Sequence, residues 1–242
     1  MKLLVDIGNT TIKFGTSDSN KFNYLGRVQT SSFSKEDVFD VLKEVNIVDT
    51  VVYSSVVPIA YQKVKEIIDK IYNADSIEIK VDLAHKPRIE IDDPNELGVD
   101  LFCDLISGYE LFGAPLAIID LGTASKVLFI NKEGIFNCCA IFIGYELARK
   151  SLSNKAALLP DFDEKTIKPI SECHNTIDVL NSSNYYSQID SVNGIIDRYE
   201  KEVGYKIKRV FTGGNATKFI KNDDICDEHL VLKGLDILSR KD

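Results

Sequence analysis

The chain has 242 residues, of which 44% are hydrophobic, and a formal net charge of −8 at pH 7. This length and composition are typical of a globular protein with a sizeable core, and the acidic balance excludes a general affinity for nucleic acid or for anionic membranes. Because the sequence has no apolar run of the roughly 20 residues that span a bilayer and no signal-peptide pattern, we expect a cytoplasmic protein without membrane or nucleic-acid partners.

The first half of the chain alternates strand-like and helix-like segments. The runs LLVDIG, TIKFGTS and KFNYLGRVQT predict three strands. A helix is predicted from about Lys35, because Ser34 can cap it and Asp37 can complete a capping box. The run DTVVYSSVVP predicts a buried strand, and Pro58 suits the first turn of the next helix. A long helix, entered from a loop, is predicted over ELGVDLFCDLISGYELFGAP and ends near Gly113.

The second half opens with the same pattern. The segment PLAIIDLGTASKVLFINKEGIFNCCAIFIG predicts strand, tight turn, strand, turn and strand. Aligning LLVDIGNTTIKFG with AIIDLGTASKVLF pairs Asp6 with Asp120 and Gly8 with Gly122. An Asp-x-Gly turn at the head of each half indicates a duplicated unit, and two related domains would present these turns to a shared cleft. The remaining segments are predicted to be helical, except that KIKRVFTGGNATKFI predicts a strand, a glycine turn and a helix.

The turn that follows Asp6 contains the residue types of a phosphate-binding loop. Gly8 permits close approach of a ligand, so that backbone N–H groups of the turn can cradle phosphate oxygens. Lys13 can add a positive charge, and the Asp6 carboxylate can hold Mg²⁺ directly or through water. Together with the glycine turn at Gly213, these residues predict a nucleotide site, with phosphates between the two Asp-x-Gly turns and adenosine near the glycines.

Several short motifs follow one another in a defined order over nearly the whole chain: DIGNTTIKFG, SSVVP, PNELGVD, DLGTAS, LP, NT, TGG and LVLKGL. In this order the sequence resembles the type III pantothenate kinases, which are members of the actin/hexokinase/Hsp70-like superfamily. The resemblance implies an α/β fold of two duplicated actin-like (ribonuclease H-like) domains, residues 1–112 and 113–242, that flank a nucleotide cleft. It also implies transfer of the ATP γ-phosphate to pantothenate, which gives 4′-phosphopantothenate in the first step of coenzyme A synthesis.

The same resemblance assigns roles to individual residues. Asp100 would be the general base that takes the proton of the pantothenate hydroxyl, which is the one proton-transfer role that phosphoryl transfer needs. Asp6 would bind Mg²⁺, and Asp120 would bind an activating monovalent cation, K⁺ or NH₄⁺. A homodimer is implied, in which residues near Thr176 approach the partner's active site. The implied nucleotide-binding residues are Asp6, Gly8, Asn9, Thr10, Thr11, Lys13, Gly122, Thr123, Gly213 and Gly214. The implied substrate-binding residues are Gly98, Val99, Asp100, Leu101 and Thr176.

The sequence departs from the family pattern at several of these motifs. Leu101 stands where the family has an arginine that can help to hold an anionic substrate. Ile91 stands where a substrate-contacting tyrosine is common, and Lys126 and Leu128 replace a threonine and an aspartate after the second turn. Two further replacements lie on the next predicted strand: Cys138-Cys139 for a Gly-Gly pair and Ile143-Gly144 for Pro-Gly.

These departures leave two other functions open. A degenerate homologue would bind nucleotide without phosphorylating an acceptor, for which Leu101, Lys126 and the Cys138-Cys139 pair would be the reason. A related kinase would phosphorylate a different, less anionic hydroxyl compound, which the absence of the arginine would suit. For Lys126 we also hypothesise that its ammonium group reaches Asp120 and replaces the monovalent cation.

Each candidate site residue also has a purely structural interpretation. Asp6 and Asp120 are of a type that commonly stabilises turns, and Asp100 at the start of a helix can complement the helix dipole. Thr176 can cap a helix with its hydroxyl group. Lys13 can be a solvated strand residue.

Overall fold

A computed structural model of the chain describes residues 1–19, 21–156, 158–162, 166–221 and 224–240. The chain forms two compact units. The first consists of Met1–Gly113, Ile130–Asn137 and the C-terminal segment that begins at His229, and the second consists of Ala114–Phe129 and Cys138–Glu228. The first unit is therefore discontinuous in sequence. The division into continuous domains 1–112 and 113–242 stays a prediction about the two duplicated halves of the sequence.

The described residues form strands and helices in an order that repeats once along the chain. In the first half they are β1 (Lys2–Ile7), β2 (Thr11–Asp18), β3 (Lys21–Gln29), α1 (Lys35–Leu42), β4 (Thr50–Ser55), α2 (Pro58–Asp69), β5 (Asp75–Glu78), β6 (Arg88–Ile89) and α3 (Val99–Phe112). The second half contains β7 (Leu116–Leu121), β8 (Ala124–Ile130), β9 (Ile135–Ile143), α4 (Tyr145–Lys155), α5 (Thr176–Val203), β10 (Lys208–Thr212), β11 (Ile225–Cys226) and α6 (Leu230–Leu238).

The strand order of the two sheets confirms the predicted duplication. The first sheet has the order β3-β2-β1-β4-β5, and the second contains β9-β8-β7-β10-β11, with β6 added beside β9. In each sheet the first strand of its half lies between the second and the fourth strands. β1 pairs in parallel with β4, and β7 pairs in parallel with β10. Two copies of one topology therefore place Asp6 and Asp120 at the same point of their respective sheets.

The predicted helix boundaries agree with the structure where local signals were strong. Ser34 caps α1 and shares a reciprocal capping box with Asp37. Pro58 occupies the first turn of α2, where its missing N–H group has no intrahelical role. α3 ends at Gly113, whose φ of 72° is one that L side chains rarely adopt. Short-range capping and turn chemistry therefore account for these ends.

The core of the first unit is completed by the C-terminal helix. Leu232 and Leu235 of α6 join a buried cluster with Leu4 and Cys103. A Cβ atom on Gly234 would lie 2.3 Å from the carbonyl oxygen of Cys103, so the backbones of α6 and α3 are in direct contact and only glycine fits between them. Helix α6 is thus built into the first unit, although it follows the second sheet in the chain.

The second unit is organised around the 28-residue helix α5. Val192 and Ile196 of this helix pack with Ile119 of β7 in one buried cluster. The sequence predicts separate helical stretches over NTIDVLNSS and QIDSVNGIIDRYEKEVG, and in the structure they form one continuous helix. The helix predicted after the Gly213 turn is instead a short 3₁₀ segment, Ala216–Lys218. Within the described ranges, no helix is both long and apolar enough to cross a membrane.

Candidate functional site

The first Asp-x-Gly turn connects β1 to β2 and is held in a fixed conformation. The Gly8 N–H donates to the Thr11 carbonyl at 3.1 Å. Thr30 braces the turn from the end of β3, since its N–H donates to the Thr10 carbonyl at 2.9 Å and its hydroxyl donates to the Gly8 carbonyl at 2.7 Å. Asn9 and Thr10 remain exposed at the tip. A braced turn with an exposed tip is the geometry that a phosphate-binding loop needs.

Asp6 lies at the base of this turn and is nearly buried, with 5% of its surface exposed. The Ser54 hydroxyl, on the parallel neighbour β4, donates to Asp6 Oδ1 at 2.9 Å. Lys13 lies opposite Asp6 in the hairpin, with its Nζ 3.9 Å from Asp6 Oδ2. At that distance the two charges attract but make no hydrogen bond. The hydrogen bond from Ser54 therefore helps to orient the carboxylate.

Asp100 lies in the first turn of α3, where the helix dipole favours a carboxylate. A Cβ atom on Gly98, the residue that caps this helix, would lie 2.5 Å from Asp100 Oδ1. The carboxylate therefore folds back over Gly98, and any other residue at position 98 would displace it. Val99 is half-buried and Leu101 is buried, so the residue in the family's arginine position contributes to the core.

Asp6 and Asp104 act on the same buried thiol as Asp100, a grouping that the sequence pattern did not predict. Burial raises the pKa of the Cys103 thiol, and the negative charges of Asp6, Asp104 and Asp100 raise it further. These three carboxylates therefore act on one buried thiol. Asp104 is only 1% exposed. The sequence could have indicated that Asp104 lies near Asp100, because residues four apart lie on one face of a helix.

The second Asp-x-Gly turn connects β7 to β8 through Gly122 and Thr123. Lys126 Nζ donates to Asp120 Oδ2 at 2.6 Å, and the two side chains are only 16% and 13% exposed. The hypothesis that the Lys126 ammonium reaches this carboxylate agrees with the geometry. Because the pair is largely shielded from water, it is less screened than a surface ion pair.

Two glycines pack directly against this second turn. Gly213 has a φ of 90°, and a Cβ atom there would lie 2.4 Å from Asp120 Oδ1. A Cβ atom on Gly144 would lie 2.3 Å from the Thr123 carbonyl oxygen and 2.4 Å from that of Gly122. Gly213 was expected in the site, whereas the contact of Gly144 was not, and no local pattern reports it. Gly214, next to Gly213, is exposed.

Thr176 is the first residue of α5 and is exposed. The structural interpretation of Thr176 as a helix cap is wrong, because the Asn175 side chain accepts the hydrogen bond from the Asp178 N–H at 2.9 Å. The spacing of an Asn three residues before an Asp is itself a capping signal that could have been recognised. A hydrogen bond from Lys168, at 2.7 Å, lowers the pKa of Asp178 below its usual value.

Metal binding at these turns would rest on single carboxylates. Among the residues that the structure describes, no group of three or more His, Cys, Asp or Glu side chains could hold a metal ion. Magnesium that arrives with a nucleotide needs only one or two protein carboxylates, since phosphates and water complete its coordination. Asp6, fixed by Ser54 beside the exposed tip of the turn, fits that requirement.

Comparisons with known proteins agree with this architecture. The sequence matches the family model for type III pantothenate kinases over residues 2–198. A crystal structure of a conserved protein of the Baf family of transcriptional activators, from Campylobacter jejuni, is 19% identical and superposes with a TM-score of 0.55, covering 98% of this chain and 96% of that chain. A reductive activator for a corrinoid, iron-sulfur protein is 12% identical, with a TM-score of 0.54 and coverage of 98% and 60%. At these identities the structural likeness establishes the fold alone, and the predicted α/β fold of two actin-like halves is confirmed.

Proposed function

Because the chain belongs to the type III pantothenate kinase family, we propose that it transfers the γ-phosphate of ATP to the hydroxyl group of pantothenate in the cytoplasm. The product is 4′-phosphopantothenate, and the reaction opens coenzyme A synthesis. The observation that carries the proposal is the position of Asp100, whose carboxylate is folded over Gly98 at the start of α3 in the same compact unit as the Asp6 turn.

The first unit supplies the phosphate-binding part of this mechanism. The exposed tip at Asn9 and Thr10 offers backbone N–H groups to phosphate oxygens, and Lys13 offers a positive charge. Asp6 would hold the Mg²⁺ that accompanies ATP, and this ion neutralises charge on the phosphates when it is bound. Ser54 keeps the Asp6 carboxylate oriented for that task.

Asp100 acts on the acceptor. In this proposal its carboxylate accepts the proton of the attacking hydroxyl group as the bond to phosphorus forms. Gly98 and Val99 line the approach with backbone, since Gly98 has no side chain and Val99 is half-buried. Leu101 brings no charge to the acceptor. In this proposal a group other than residue 101 therefore recognises the pantothenate carboxylate.

The second unit supplies a second nucleotide-binding turn. Gly122 and Thr123 offer backbone N–H groups, and Gly213 and Gly214 begin the next glycine turn. The tight packing of Gly213 on Asp120 fixes these two turns relative to each other. Thr176, exposed at the start of α5, remains a proposed substrate contact.

A homodimer is part of the same proposal, supported by apolar side chains that the second unit leaves exposed. Ile141 and Ile143 project from one face of β9 with 62% and 51% of their surfaces exposed. Leu147, Ile177 and Val179 are among the other exposed apolar side chains of this unit. We expect Ile143→Glu to shift the protein from dimer to monomer in sedimentation velocity, because a buried charge opposes association. Ile47→Glu, at an exposed isoleucine of the first unit, should leave the dimer intact, and a wild-type monomer would contradict the dimer.

The kinase is tested by ADP release with ATP, Mg²⁺ and pantothenate. We expect turnover that depends on pantothenate and that falls by about 10²- to 10⁴-fold in Asp100→Asn, because an amide cannot accept the proton. The matched control is Asp92→Asn, at an exposed carboxylate on the loop before α3, which should retain wild-type turnover. ATP affinity should be the same in all three proteins.

Two results would contradict the proposal in different ways. Wild-type protein that binds ATP but releases no ADP with pantothenate or any other hydroxyl acceptor would identify a degenerate homologue. ADP release that depends on a different, less anionic acceptor would identify a related kinase, in agreement with the apolar residue Leu101.

A further inference from the structure

The monovalent cation implied by the family does not fit the Asp120 carboxylate of this chain. One oxygen, Oδ2, already accepts a hydrogen bond from the Lys126 ammonium at 2.6 Å. The other, Oδ1, lies against the backbone of Gly213, at 2.4 Å from where a Cβ atom would be. A potassium or ammonium ion at this carboxylate would stand beside a like charge that is largely shielded from water.

We propose that Lys126 is a covalently attached replacement for that cation, so that this chain binds nucleotide and turns over without K⁺ or NH₄⁺. The part that concerns turnover rests on the proposed kinase function. The part that concerns ion binding rests only on the Asp120–Lys126 pair and is testable by itself.

The direction of the Lys126 side chain is fixed by the strand on which it lies. Successive residues of β8 point to opposite faces. Ser125 is fully buried on one face, where its hydroxyl accepts a hydrogen bond from Gln188 of α5 at 2.7 Å. Lys126 must then project from the other face, where the Asp120 carboxylate lies. The contact is therefore a consequence of the strand register and does not depend on a flexible surface side chain.

The positive charge is needed because Asp120 stands only two residues before Gly122, where the Gly122–Thr123 turn begins. An uncompensated carboxylate at that point would repel a phosphate group bound by the turn. Lys126 neutralises the carboxylate in every folded molecule, whereas a diffusible ion would do so only at sufficient concentration. Loss of the lysine should create a binding requirement that the wild-type protein does not have.

The test uses Lys126→Thr, which places at this position the residue type of the family pattern. The matched control is Lys132→Thr, at a 63% exposed lysine just beyond the other end of β8. ATP affinity and thermal unfolding are measured for each protein in chloride salts of K⁺, NH₄⁺ and tetramethylammonium at constant ionic strength. Lys126→Met, which keeps the length of the side chain without its charge, takes the place of the threonine variant if that variant does not fold.

We expect wild type and Lys132→Thr to give the same ATP affinity and the same melting temperature in all three salts. Lys126→Thr should bind ATP about tenfold or more weakly in tetramethylammonium, and K⁺ or NH₄⁺ should restore both affinity and stability. A wild-type protein that responds to K⁺ or NH₄⁺ overturns the proposal. A variant that responds to neither ion in either measurement overturns it as well.

These outcomes are distinguishable from failure of the proposed kinase. If wild-type protein shows no turnover with any acceptor, the kinase function fails. A shift in melting temperature with K⁺ or NH₄⁺ that is confined to the Lys126 variant would still support the replacement, because unfolding is measured without nucleotide.

Discussion

The β1–β2 and β7–β8 hairpins are duplicates that hold the same pair of charges in different ways. Each has an aspartate near the end of its first strand and a lysine at the third position of its second strand. In the first hairpin Lys13 Nζ is 3.9 Å from Asp6, and Ser54 holds the carboxylate. In the second, Lys126 Nζ is 2.6 Å from Asp120 and Gly213 packs against it. The duplicated positions are therefore equivalent in sequence and sheet but differ in their contacts.

This difference indicates that the equivalent lysines of the two duplicated hairpins have different roles. In the first hairpin, Ser54 donates a hydrogen bond to the carboxylate, and the lysine lies beyond hydrogen-bond distance of it. In the second hairpin the lysine itself makes the hydrogen bond, so its charge is used within the protein. We propose that Lys13 serves phosphate binding and that Lys126 serves neutralisation of Asp120.

The largest expected effect concerns how tightly the two turns are packed. Gly144→Ala should lower the free energy of unfolding by about 2–4 kcal/mol, because its Cβ atom would meet two carbonyl oxygens of the second turn. Gly8→Ala is the matched change in the first turn, where the nearest atom to a Cβ is the Thr11 carbonyl oxygen at 3.3 Å, and should cost about 1 kcal/mol or less. Urea denaturation without nucleotide measures both, and equal losses would contradict the difference in packing.

A smaller effect separates the two lysines. Lys13→Met should weaken ATP binding by about 10- to 100-fold, because a charge-assisted contact to phosphate is lost. Unlike the Lys126 variants, it should not recover in K⁺ or NH₄⁺, since Asp6 remains held by Ser54. Calorimetric titration with ATP in the chloride salts of K⁺ and NH₄⁺ measures the affinity of Lys13→Met. Recovery of its affinity in K⁺ would show that Lys13 and Lys126 have the same role.

The smallest effect is a pH dependence in the strands of the first hairpin. Burial alone would raise the pKa of Asp236 on α6, but hydrogen bonds from Ser17 and Arg240 and the charge of Lys2 bring it below its ordinary value. A carboxylate with a lowered pKa stabilises the folded state above the unfolded pKa of about 3.9, and this stabilisation is lost as the pH falls through the folded value.

Asp236→Asn should therefore be less stable than wild type by a constant amount, about 1 kcal/mol, above pH 5. The difference should shrink below about pH 4, where wild type loses the same interaction. Urea unfolding at a series of pH values measures the gap. A gap that does not change with pH would mean that the Asp236 charge contributes nothing to the first hairpin.

Much of each hairpin was predictable because its signals are local. The apolar runs, the Asp-x-Gly turns and the caps at Ser34 and Pro58 all lie within a few residues of the structure that they specify. The pairing of the two turns by alignment also indicated the duplicated sheet order. Lys126 followed from the same reasoning, since a residue on the strand that leaves a turn can reach back to the strand that enters it.

The remainder depends on contacts between segments that are distant in sequence. Nothing near Gly144 reports that it will lie on the carbonyl groups of Gly122 and Thr123, because the contact exists only after β9 and α4 have formed. The same holds for Gly234 of α6 on α3, and hence for the discontinuous first unit. The cap of α5 did not depend on a distant contact. Its signal is local, but the cap was assigned to Thr176 instead of its neighbour Asn175.

The contact between Gly234 and Cys103 has a consequence for biosynthesis. During translation the ribosome releases β1 to α3 first, but the helix that closes their core is encoded after the whole second sheet. The first unit cannot reach its final packing until translation has passed Leu238, although domains synthesised first generally fold first. Until then, α6 cannot cover the surfaces of Leu4 and Cys103, and we expect these surfaces to be available to a chaperone on the nascent chain.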